Sequence, residues 1–160
     1  MGHPFTLVFD PAWMSPDDFQ AAADLDDSAG AWGVEDFRAA FLGLDGKYDP
    51  AVRGIVLIGG RQSLRICESK LSAWVVYRFD REAVRILRAC VFARYRRRGV
   101  GDLLLRYAMA NRVDFKAHRG YRFCSASVLT SDEAGQWLFR RFGLQCVGVD
   151  ENGYRFAGLV

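Results

Sequence analysis

The sequence predicts a mixed α/β (α+β) domain whose central sheet is mostly antiparallel, with some parallel pairing. Two observations carry that prediction. Between residues 54 and 92, β-branched and aromatic runs follow one another with only short turns between them, the pattern of an antiparallel meander. After it comes an amphipathic helical stretch and a further apolar run, a strand–helix–strand unit that implies a parallel crossover. At 160 residues, 51% hydrophobic and 14% aromatic, the chain suits a single folded domain over 1–160.

The elements follow in order. Residues 4–9, "PFTLVF", are a short strand. "SPDDFQAAADL" begins a helix, with Ser15 as N-cap, Pro16 at the first helical position and acids in the first turn. "GVEDFRAAFLGL" places Val34, Phe37, Ala40, Phe41 and Leu44 on one helical stripe. "GIVLIGG", "SLRICES", "AWVVYRF" and "AVRILRACVF" are the strands of the meander, with a tight turn at "DREA". Val100, Leu103, Leu104, Tyr107 and Ala108 keep the spacing of a helix with one buried face, expected to reach about Lys116. "YRFCSASVL" (121–129) is a strand. Thr130 and Glu133 form a capping box for a helix from about Ser131 to Gly143. "LQCVGVD" and "YRFAGLV" close the chain as a hairpin around Glu151, Asn152 and Gly153.

Composition narrows the function. No apolar run approaches the roughly 18 residues that a membrane span needs. The N-terminus lacks a charged n-region and a cleavage site, so a cytoplasmic address and no membrane partner are expected. Cys67, Cys90, Cys124 and Cys146 are spaced singly and read as buried free thiols. With only His3 and His118 and no carboxylate–histidine spacing, no metal site is expected. Trp13, Trp32, Trp74 and Trp137 are expected mainly in the core, with Trp32 a candidate for an acceptor pocket. The net charge of +3 conceals two poles: residues 1–50 sum to about −8 and residues 51–160 to about +11. A nucleic-acid-binding face would more often be basic throughout, so nucleic acid is the less favoured partner.

The basic pole concentrates in "RYRRRGVGDLLLRY", residues 94–107. A strand runs into Arg96-Arg97-Arg98-Gly99-Val100-Gly101, and Asp102 follows in the opening helix. The start of a helix offers N–H groups without intrahelical acceptors, at the positive end of the dipole, and both favour phosphate. Glycines permit φ > 0 and close approach, and arginines add charge-assisted bonds. The stretch therefore reads as a pyrophosphate cradle.

"VFARYRRRGVGDLLL" resembles motif A of the GNAT-superfamily N-acetyltransferases, Arg/Gln-x-x-Gly-x-Gly/Ala after the fourth strand. Arg96, Gly99 and Gly101 match its fixed positions, and Ala93 stands where many members carry proline. The likeness extends through the element order from about residue 54 to 158. It implies helices on both faces of the sheet, acetyl-CoA as co-substrate, an amine acceptor (small molecule or peptide), and a strand–loop–helix unit followed by strand, helix and hairpin. It makes 51–160 the coenzyme-binding core and puts the acidic residues 1–50 on the acceptor side, where a cationic amine would suit them. It assigns the pantetheine and thioester to the backbone of Val91, Phe92 and Ala93.

A second family pattern, Asn-x-x-Ala-x-x-Leu-Tyr-x-Lys-x-Gly-Phe, falls on Asp132, Gly135, Leu138, Phe139, Arg141, Gly143 and Leu144. It places Asp132 and Phe139 beside the coenzyme. The family's tyrosine, the usual proton donor to the leaving thiolate, is here Phe139, which has no hydroxyl. The fourth strand carries no carboxylate either, so the base is unassigned, with Glu68, Glu82 and Asp132 as candidates. Besides an N-acetyltransferase, two other readings stand: a catalytically silent coenzyme A sensor, and a basic nucleic-acid-binding module. A homodimer is left open.

Overall fold

Runs of β-branched and aromatic residues broken by short turns let the middle of the chain pair strand to neighbouring strand. The computed structural model describes residues 5–9, 14–26, 32–59, 70–79, 83–92, 95–96, 99–110, 123–151 and 153–159. The elements are β1 (Phe5–Phe9), α1 (Pro16–Asp24), α2 (Val34–Ala39), β2 (Val52–Gly59), β3 (Lys70–Phe79), β4 (Ala83–Val91), α3 (Val100–Ala110), β5 (Phe123–Val128), α4 (Glu133–Phe142), β6 (Gln145–Asp150) and β7 (Gly153–Leu159). They form a seven-stranded sheet in the order β1-β2-β3-β4-β5-β7-β6. Every pairing is antiparallel except β4 with β5. The expected strand at 63–69 and the continuation of α3 toward Lys116 lie outside the described residues.

Helices cover both faces. On one, Leu104, Leu105 and Ala108 of α3 and Phe139 of α4 pack with Val75, Tyr77, Cys124 and Phe156. On the other, Phe19 of α1 and Phe37 of α2 pack with Phe41, Trp74, Val76 and Cys90. The Trp74 indole donates to the Ala22 carbonyl at 2.7 Å, so its one polar atom is satisfied within an aromatic cluster.

Ser15 caps α1 as its sequence predicts: its hydroxyl accepts from Asp18 N–H at 3.2 Å, and the Asp18 carboxylate accepts from Ser15 N–H at 3.0 Å. Three local expectations are corrected. The stripe through Leu44 overreaches, because α2 stops at Ala39 and Leu44 is fully exposed. The chain turns there instead, with Gly43 N–H donating to Lys47 O and Gly46 at φ 77°. α4 begins at Glu133 rather than near Ser131, because the Asp132 carboxylate, not Thr130, caps it by accepting from Gly135 N–H at 3.0 Å. Cys90 and Cys124 are buried free thiols, but Cys146 is exposed, since β6 is an edge strand open along its length.

The register of β4 shapes the rest. Val76 pairs with Arg88 but Tyr77 pairs with Ile86, so Leu87 is an extra residue, a bulge. Val84 and Ile86 face α3 before it, and Ala89 and Val91 after it, while Leu87 and Cys90 face α1 and α2. A bulge bends its strand and increases the local twist. β5 pairs with β4 only from Ala83 to Ile86, so the two strands part where the bulge begins.

Candidate functional site

Among the described residues, the parting of β4 from β5 leaves the end of β4 without a strand on that side, and α3 begins at Val100. Leu103 N–H is the first to bond within the helix, to Gly99 O at 3.0 Å. The amides of Val100, Gly101 and Asp102 therefore have no acceptor within α3. Gly99 sits at φ 79° in open space, so glycine is needed there for its backbone angle.

Gly101 has a packing reason to be small, besides the phosphate approach that its motif suggests. A Cβ at Gly101 would lie 2.6 Å from Leu138 Cδ1 and 3.4 Å from Val91 Cγ2. Its hydrogens are the surface on which α4 and β4 close against α3. Arg96 ties the loop back to the strand, its Nε donating to the Val91 carbonyl at 3.0 Å.

These elements enclose a groove of about 500 Å³. One wall is Ala89, Cys90 and Val91 of β4; the floor is Arg96, Gly99, Gly101 and Asp102. The opposite wall is α4, through Asp132, Ala134, Trp137, Leu138 and Arg141 among others. The groove thus gathers Val91, Arg96, Gly99, Gly101, Asp102 and Asp132 from the residues singled out by sequence. Val100 packs partly buried against the core beside it, and Phe92 is 37% exposed at the end of β4. Ala93, Arg97, Arg98, Glu68 and Glu82 lie outside the described residues.

Phe139 is not among the described residues that line the groove. It is 4% exposed, with its ring 6.2 Å from that of Phe156 in the core. Asp132 reaches the groove, but its carboxylate is already engaged at the α4 N-terminus. Asp102 pairs with Arg106 at 2.8 Å, an i, i+4 contact that offsets its charge at the start of α3. Among the described residues, no group of three or more His, Cys, Asp or Glu side chains could hold a metal ion.

Sequence reasoning missed Trp137 as a groove residue, having expected it in the core. It is 48% exposed, and the Arg141 guanidinium lies 5.1 Å from its ring centroid. The signal was present: 134, 137, 138 and 141 recur at i, i+3, i+4 and i+7, one continuous face of α4. The core face through Phe139 and Phe142 is stronger and hides it.

No protein-family profile matches the chain, and no curated protein matches it by sequence. Solved structures do match. The ribosomal-protein-S18-alanine N-acetyltransferase from Escherichia coli aligns with a TM-score of 0.64 at 15% identity, over 98% of this chain and 94% of that one. A PaiA N-acetyltransferase from Thermoplasma acidophilum, solved in complex with coenzyme A, gives 0.67 at 12% identity over 98% and 99%. The GNAT domain of S. lividans PAT gives 0.67 at 15% over 99% and 92%. The chain has the fold of these acetyltransferases.

Proposed function

We propose that this chain is an N-acetyltransferase that moves an acetyl group from acetyl-CoA to an amine. The observation that carries the reading is the gap between β4 and β5 opening directly onto a glycine-led helix start. A strand edge, a helix N-terminus and an apolar wall then line one continuous groove.

In this reading, the amides of Val100, Gly101 and Asp102 hold the pyrophosphate, with Arg96, Arg97 and Arg98 supplying positive charge. The β4 edge from Ala89 to Val91, continuing into Phe92 and Ala93, binds the pantetheine amides as an added strand would be bound. Leu138 and Trp137 pack against the pantetheine arm, and Arg141 is placed for the outer phosphates. The thioester comes to rest at the bulge, where the strands part.

The reaction needs little covalent help from the protein. The amine nitrogen, once deprotonated, attacks the thioester carbonyl carbon; the C–S bond breaks and the thiolate takes up a proton. Holding the two reactants in line supplies much of the rate. Phe139 carries no hydroxyl, so in this reading water or another residue protonates the thiolate, and the base is sought among Glu68, Glu82 and Asp132. The acidic N-terminal third favours a cationic acceptor.

The absence of a carboxylate from β4 favours a second reading, a coenzyme A sensor without turnover. Calorimetry with coenzyme A, followed by thiol release from acetyl-CoA in the presence of spermidine, kanamycin or a peptide with a free N-terminus, separates the two. Binding with release supports the transferase; binding without release supports the sensor. No binding at millimolar coenzyme A, with a melting point raised by single-stranded RNA, would replace both with a nucleic-acid function.

A further inference from the structure

Behind the groove wall, on the sheet face covered by α1 and α2, lies a buried ion pair. Arg88 donates through Nε to Asp26 Oδ2 at 2.7 Å and through Nη2 to Asp26 Oδ1 at 3.1 Å. The Asp26 side chain is wholly withdrawn from solvent and that of Arg88 is 13% exposed. The same carboxylate accepts the Trp32 backbone N–H at 3.2 Å. Asp26 follows the end of α1 and Trp32 precedes α2, so one side chain joins both ends of the α1–α2 connection to β4. Next to it, the Cys90 thiol donates to the Leu25 carbonyl at 3.3 Å.

The place of this clamp in the strand is informative. Arg88 directly follows the Leu87 bulge and directly precedes Ala89, Cys90 and Val91, the groove wall. Fold stability alone does not call for such a pair. An ion pair taken out of water is often matched or exceeded by apolar side chains of similar volume. What a bidentate guanidinium–carboxylate fork adds is a fixed distance and orientation. The fork also neutralises a cation next to the groove wall.

We propose that Asp26 and Arg88 are a positioning pair that sets the acceptor side of the groove, by holding the α1–α2 connection at one place against the splayed end of β4. The inference rests on the acetyltransferase reading. With α3 and α4 covering the face from which the coenzyme groove opens, the amine approaches through the gap from the α1–α2 side. The seat of that connection then decides how the amine meets the thioester, while coenzyme binding does not depend on it.

The test replaces the fork with apolar volume, in an Asp26→Leu/Arg88→Met double variant, alongside an Arg88→Lys variant that keeps the charge but loses the second bond. Wild type and variants are compared by melting, by coenzyme A calorimetry, and by steady-state thiol release with spermidine, kanamycin and a free N-terminal peptide as acceptors. The double variant also removes the acceptor of the Trp32 N–H, so it is expected to melt close to the wild-type temperature and to bind coenzyme A within twofold of wild type. Its acceptor KM is expected to rise about tenfold or more, with a smaller rise in Arg88→Lys. An acceptor KM within twofold of wild type in the folded double variant overturns the positioning role alone. If the double variant does not fold, an unchanged acceptor KM in Arg88→Lys overturns it equally. No thiol release by wild type with any of the three amines overturns the transferase reading, and this proposal with it.

Discussion

Gly101→Ala tests how α3, α4 and the groove are joined. The added Cβ would stand 2.6 Å from Leu138 Cδ1 and 3.3 Å from Cδ2, whereas carbon atoms rest about 3.5–4.0 Å apart. Leu138 must give way by roughly 1 Å. Its terminal methyls can do so by rotation, but Val91 Cγ2 at 3.4 Å closes one direction. The free direction is the groove, which Leu138 already lines. Overpacking of this kind costs about 1–3 kcal/mol, and alanine's better helix propensity returns up to about 1. A net loss of about 0–2 kcal/mol of stability is therefore expected, with coenzyme A affinity reduced roughly tenfold, or about 1.4 kcal/mol. The decisive measurement is a double-mutant cycle with Leu138→Ala, followed by calorimetry and thermal melting. Shortening Leu138 removes the clash, so the double variant should bind more tightly than Gly101→Ala alone, with a coupling energy of about 0.5–3 kcal/mol. Additive effects, or an unchanged affinity in Gly101→Ala, would refute the packing account of this glycine.

Three other outcomes are expected. Asp132→Ala should lower stability by about 0.5–2 kcal/mol through loss of the α4 cap, while Asp132→Asn keeps the cap. Turnover abolished by the Asn variant at unchanged melting temperature would show the carboxylate to be a base. Phe139→Tyr should cost about 1–3 kcal/mol in melting experiments, because it buries a hydroxyl beside Phe156. A mutant of full stability with faster turnover would contradict its place in the core. Burial pushes the Cys124 thiol up to about 12 from its ordinary 9.0. The unfolded chain then loses its proton first, so the contribution is complete below about pH 9 and is lost as pH rises toward 12. The stability difference between wild type and Cys124→Ala should shrink over that window, and a constant difference would refute the burial effect.

Much of the fold could be read because its signals are local. Ser15-Pro16-Asp17-Asp18 carries a complete helix start, and Gly143 ends α4 at φ 106° as its place after "FRRF" suggests. The groove floor was equally legible, since a strand, arginines and spaced glycines before an amphipathic helix are contiguous in sequence. What failed was local competition. Asp132 outcompetes Thr130 for the α4 cap, a choice between neighbours that a capping-box pattern does not resolve. Trp137 was assigned to the core on residue type, although its position at 134, 137, 138 and 141 assigns it to the second face of α4.

The bulge in β4 lies between these cases, and it links the fold to the site. Apolar residues at 84 and 86 and then at 89 and 91 change parity within one strand, and only an inserted residue lets both pairs face the same core. A mainly apolar run such as "AVRILRACVF" obscures that change, because Leu87 and Cys90 are apolar too and pack on the opposite face. Arg85 and Arg88 both interrupt the run, but Arg85 is exposed whereas Arg88 is partly buried on the α1–α2 face. A charged side chain in the middle of a two-sided buried strand demands a partner, and its partner is 62 residues away at Asp26. No periodicity connects residues so distant, so that pairing required the tertiary structure. Arg88, the charged residue on the covered α1–α2 face of β4, is also the one that ties the strand's splayed end to the α1–α2 connection. The oddity in the sequence and the geometry of the groove therefore have one physical cause.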